Sequence, residues 1–178
     1  LLLCLATQYF YSKISWAWPA VFCFFAFGCI LLFADLLLMM CGLGLVLTAA
    51  LICFQDLKTY YFSLWWLLAA GALLLFSLPF EQLICPSLLS RLAALSFCAV
   101  GLLMVLMHWF GFADVVYLAV MGWILGAGLM AAAVGLACLM GIGWLGISRF
   151  SIKMIPFCSC LSVGFLMAFL TGMRLILL

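Results

Sequence analysis

The sequence predicts an all-α fold, a polytopic membrane helix bundle of about seven transmembrane helices (six to eight), and three observations lead there. First, 73% of the 178 residues are hydrophobic and 6% are charged, with mean hydropathy +1.56. Polar side chains are then too few to coat a soluble globule of this size, so lipid must be the solvent for most of the surface. Second, the apolar residues gather into long runs punctuated by charge or proline. Third, a spanning helix takes about 20 residues, so this length holds roughly six to eight spans with short connections. That leaves a single integral domain over 1–178 and little room for anything outside the bilayer.

The runs fall at about 16–34, 36–54, 62–79, 89–107, 113–147 and 154–173. The first follows Lys13 and stops before Asp35, which separates it from the second; the second stops just before Gln55 and Asp56. The third closes at Pro79, and Glu81 and Pro86 stand between it and the fourth. The fifth opens at Asp114 and is too long for one crossing: about 35 helical residues measure roughly 50 Å, against a hydrocarbon core of about 30 Å. It reads as two spans broken around Gly126, Ala127 and Gly128. The sixth is headed by Pro156.

Seven spans alternate the loops between two sides, with Lys13, Lys58, Arg149 and Lys153 on one and Arg91 and Arg174 on the other. The excess of basic residues makes the first side cytoplasmic. Net charge is only +2, from six Lys or Arg against four Asp or Glu, scattered singly, which argues against nucleic acid as a partner. Most of the ten cysteines lie inside apolar segments (Cys23, Cys29, Cys41, Cys53, Cys98, Cys138), none forms CxxC, and they read as small buried hydrophobes. Late in the chain Gly122 and Gly126 form GxxxG, followed by Gly128, Gly135, Gly141, Gly143 and Gly146, a pattern that close helix packing explains. The sequence opens at Leu1 with neither Met nor a basic region before an apolar stretch, so no signal peptide is expected and truncation of a longer chain is.

A charged side chain within a span costs about 2.5–3.5 kcal/mol on insertion scales, so each acid needs its own account. Asp35 and Glu81 lie between runs and read as solvated loop residues. Asp56 ends the run LTAALICFQD and is followed by Leu57 and Lys58; Asp114 opens ADVVYLAVMGWILG. Alternating topology sends both to one membrane face. Solvation at a helix end accounts for Asp56 and dipole stabilisation for Asp114; the other reading is a pair of carboxylates that share one proton and activate water. His108 is alone, offering neither a bis-imidazole haem site nor a metal cluster. Lys58 pairs with Asp56 or snorkels, and Trp65, Trp66, Trp109 and Trp123 read as interfacial belt or packing residues. No GxSxG, HExxH or P-loop occurs, which leaves carboxylate chemistry or transport.

An Asp followed by a short basic and aromatic stretch, then a later G-x-x-D opening a helix, resembles the prepilin peptidases, intramembrane aspartyl proteases of the GxGD type. QDLKTYYFS (Gln55 to Ser63) looks like their first catalytic loop and GFADVVYLAVMGWILG (Gly111 to Gly126) like their GxGD segment with its helix. IKMIPFCSCLSVGFLMAFL (Ile152 to Leu170) is similar to their basic loop and last span, and KISWAWPAVFCF (Lys13 to Phe24) to the segment that leaves their cytoplasmic loop. The resemblance covers nearly the whole chain, though only the two Asp motifs are specific. It implies a GxGD-like bundle in the cell membrane, catalytic Asp56 and Asp114 facing the cytoplasm, Gly111, Ala113 and Lys58 as supporting motif residues, and 1–13 as the remnant of a cytoplasmic loop.

This chain departs from the family's pattern at several places. Ala113 replaces the second Gly of GxGD, Val116 a frequent Lys, and Ser63 an expected Pro. Thr7 and Phe10 stand where many members have the second CxxC of a metal-binding loop, so no metal, no cofactor and no methyltransferase activity are expected. The pattern looks most like the competence-type enzymes of Gram-positive bacteria. The implied partners are the leader peptides of prepilins or pseudopilins, cut after a Gly just before their hydrophobic helix. The alternatives are a small proton-coupled carrier using its membrane acids, or an inactive relative of the peptidase.

Overall fold

The computed structural model describes residues 17–59, 64–84, 86–108, 111–147 and 157–177. They form six helices and, among the described residues, no strand: α1 (Ala17–Leu32), α2 (Leu36–Thr59), α3 (Leu64–Ile84), α4 (Leu88–Leu106), α5 (Phe112–Ile147) and α6 (Phe157–Leu177). Four are long and apolar enough to cross a membrane, over Leu36–Leu57, Leu88–Leu106, Phe112–Gly143 and Phe157–Leu177; the apolar helices Trp18–Leu32 and Leu68–Glu81 are shorter. Segment 1–13 with Thr7, Phe10 and Lys13, residues 60–63, Trp109, Arg149 and Lys153 lie outside the described residues, as do the side chains of Lys58, Trp65 and Trp66.

Local chemistry sets the helix ends. Asp35 is less a plain loop acid than the N-cap of α2: its Oδ1 accepts the Leu37 N–H at 2.8 Å and its carbonyl accepts that of Met39 at 2.9 Å. Ser87 does the same for α4, taking the Ser90 N–H at 3.1 Å. His108 follows the end of α4 with φ 59, a left-handed conformation that His tolerates better than most residues. Two boundaries differ from expectation. α2 runs on to Thr59, placing Asp56 in its last turns, because Gln, Leu and Lys are good helix formers that carry the backbone past the apolar run. Glu81 is not a loop residue: α3 continues through Pro79 to Ile84, and Glu81 forms an ion pair with Arg91 of α4. Pro79 forgoes one backbone bond, while its neighbour Phe80 is fully buried between Phe33 and Phe169, at 5.1 and 5.0 Å between ring centroids.

The long fifth run breaks at Gly126, whose φ 71 and ψ 178 are open essentially to glycine alone. A Cβ there would lie 2.8 Å from Ser90 Oγ and 2.9 Å from Pro86 Cβ, and Ser90 Oγ accepts the Ala127 N–H at 3.0 Å. The first part of α5 lies antiparallel on α4, with Gly101 against Val115 and Leu118, and Gly122 against Ala94. The second part lies antiparallel on α6, with Leu129 against Gly172, and Ala133 and Ala137 against Gly164. Since Asp114 touches the start of α6, these contacts require the chain to double back at Gly126. Six helices, one broken, thus give seven helical segments of alternating direction among the described residues.

α6 is the axis of the bundle. It packs against α1, α2, α3 and α5, and every residue from Cys158 to Leu166 is buried. α4 is its opposite: it packs chiefly on α5, buries only Ala94 and Gly101, and leaves Leu89 at 78% and Leu106 at 76% exposure. An outward surface of that kind is compatible with lipid contact.

Candidate active site

The two acids singled out by the sequence reach the same end of the bundle from different helices. Asp56 lies near the end of α2, which packs against α6. Its Oδ2 accepts the Ser159 backbone N–H at 3.0 Å and stands 3.0 Å from Ser159 Oγ, which is also 3.2 Å from the Cys53 carbonyl oxygen. Ser159 is the third residue of α6, where the first four backbone N–H groups have no partner within the helix. Asp56 therefore caps α6 from outside, its carboxylate against the positive end of the helix dipole.

Asp114 is the third residue of α5, and Gly111 precedes that helix. The Gly111 N–H donates to Asp114 Oδ2 at 2.9 Å, while the Asp114 N–H donates to the Gly111 carbonyl at 3.1 Å. This is the reach-back half of a capping box, and it gives the first glycine of the GFAD segment a local task. A Cβ at Gly111 would lie 3.4 Å from Asp114 Oδ2. Asp114 Oδ1 accepts the Cys158 thiol at 2.8 Å. Ala113 is partly buried against the core. Lys58 belongs to the last turn of α2, and His108 makes none of the hydrogen bonds that hold the acids.

Both acids are half-buried, whereas Cys158 and Ser159 are fully buried. The two carboxylates bond adjacent residues of α6, Asp114 to Cys158 and Asp56 to Ser159. Cys53, Phe54, Leu118 and Leu161, neighbours in sequence of the site residues, are buried in the core. Tyr117, one turn after Asp114, is fully buried. Among the described residues no group of three or more His, Cys, Asp or Glu is placed to hold a metal ion, and Cys53, Cys158 and Cys160 are free thiols. Chemically, two carboxylates at one partly desolvated end of the bundle are groups suited to acid–base work.

No protein family model, no curated protein and no solved structure matches this chain.

Cys158 and Ser159 are the site residues that the sequence reading passed over. Their signal was present in IPFCSC, polar atoms directly after a helix-opening proline in a segment otherwise apolar. A polar side chain in the first turn of a buried helix needs a partner, and the acids are that partner.

Proposed function

We propose that this chain is a membrane aspartyl endopeptidase that removes the short basic leader from prepilin-like proteins at the cytoplasmic membrane face. The observation that carries the reading is the convergence of Asp56 and Asp114 on adjacent residues of one helix end. The order and context of the two acids, QDLK then GFAD, support it independently. One carboxyl group, protonated, polarises the scissile carbonyl, and the other, ionised, takes a proton from the attacking water. All seven helical segments cross the bilayer in this reading, with Lys13, Lys58, Arg149 and Lys153 at the acid-bearing end and Arg91 and Arg174 at the other. The leader lies in the aqueous mouth above the acids and the substrate's apolar helix in the adjoining lipid.

Co-expression with a pilin-like reporter in a host lacking its own leader peptidase tests this. A faster-migrating reporter, seen only when the chain is present, is the expected result. An unprocessed reporter at normal levels of both proteins would reject the activity.

A further inference from the structure

The acids are contributed by α2 and α5, and these two helices make no extended contact with each other, while α6 packs against both. The separation and orientation of the carboxylates are therefore set through α6. At its N-terminus consecutive residues turn to opposite partners: Cys158 reaches Asp114 and Ser159 reaches Asp56.

We propose that Cys158 and Ser159 are positioning residues that hold the two acids in register. Ser159 directs its N–H and its hydroxyl to the same oxygen, Asp56 Oδ2. On Asp114 the Gly111 N–H fixes Oδ2 from within α5, and the Cys158 thiol fixes Oδ1 from α6. Both α6 side chains are fully buried, so water does not replace either donor when it is removed. The consequence for cleavage rests on the peptidase reading; the geometry does not.

The test therefore has one arm that reads catalysis and one that does not. Cys158→Ala and Ser159→Ala are each expected to lower kcat for leader cleavage by about tenfold to a hundredfold with KM little changed, the loss of one buried hydrogen bond to a carboxyl group. Cys158→Ser and Ser159→Thr restore a donor and should recover most of the rate, which a purely packing role would not produce. The second arm is the infrared S–H stretching band of Cys158, isolated by subtracting the spectrum of Cys158→Ala or Cys158→Ser. It should shift in Asp114→Asn and stay in place in Asp56→Asn. Wild-type kcat in both alanine variants, or an S–H band indifferent to Asp114→Asn, would overturn the proposal. If even the unmutated protein cleaves nothing, the peptidase reading falls, and the S–H band still decides whether the thiol holds Asp114.

Discussion

Replacing Gly126 by Ala gives opposite signs under the two geometries open to the fifth apolar run. In an uninterrupted 36-residue helix the change would stabilise by roughly 0.5–1 kcal/mol, the usual gain of Ala over Gly in a helix interior. In the broken geometry Ala must occupy φ 71, ψ 178, a region that costs a non-glycine residue roughly 1–3 kcal/mol. Its Cβ would also lie 2.8 Å from Ser90 Oγ and 2.9 Å from Pro86 Cβ. Relieving that overlap pulls Ser90 from the Ala127 N–H, worth roughly a further 1 kcal/mol. The expected sum is a destabilisation of about 2–4 kcal/mol, read from unfolding of the purified protein in mixed micelles as the denaturing detergent fraction rises. Gly128→Ala and Gly135→Ala, where an added Cβ meets nothing within 4 Å, should be neutral or slightly stabilising. A Gly126→Ala protein as stable as the parent would refute the reversal.

Three further outcomes follow. Gly164→Ala drives a methyl group into the Ala133 carbonyl oxygen where α5 and α6 pack backbone to backbone, so it should destabilise by roughly 1–3 kcal/mol, whereas Gly71→Ala, in open space, should not; equal unfolding midpoints for the two would contradict that close approach. With the acid-bearing end in the cytoplasm, a cysteine at position 59 in an otherwise cysteine-free chain should stay unlabelled by an impermeant thiol reagent added outside intact cells, and strong labelling would reverse the orientation. Leader cleavage should withstand chelators, and purified chain containing stoichiometric zinc that is lost together with activity would contradict a two-carboxylate mechanism.

The helical class was legible because long apolar runs almost free of charge suit helices able to cross a membrane, and the break in the fifth run because a helix of that length exceeds a bilayer's hydrocarbon core. The location of the break was readable from Gly126 to Gly128; its cause was not, since Ser90 and Pro86 reach Gly126 only through tertiary packing. Glu81 was misread for a related reason. A proline two residues earlier suggested a helix end, and the partner that rewards continuing the helix, Arg91, lies across a turn. At the site, the two acids stood out as charges beside apolar runs, but hydrophobic period carries no information about which helix ends meet. Cys158 and Ser159 carry polar atoms but no charge, a weaker mark than that of the acids, and their role emerges only from the ends of α2 and α5 converging on them.

The most direct measurement of the proposed chemistry is leader cleavage by the two amide variants at matched membrane levels. An amide keeps the shape of the carboxyl group but cannot exchange its proton, so Asp56→Asn and Asp114→Asn should each abolish processing of the pilin-like reporter. The double variant should be little worse than either, because groups that act as a unit lose their effect together. Asp35→Asn, where Asn caps α2 as well as Asp does, should process normally. Cleavage at the parental rate by Asp56→Asn or by Asp114→Asn would contradict the assignment of these two residues as the catalytic pair.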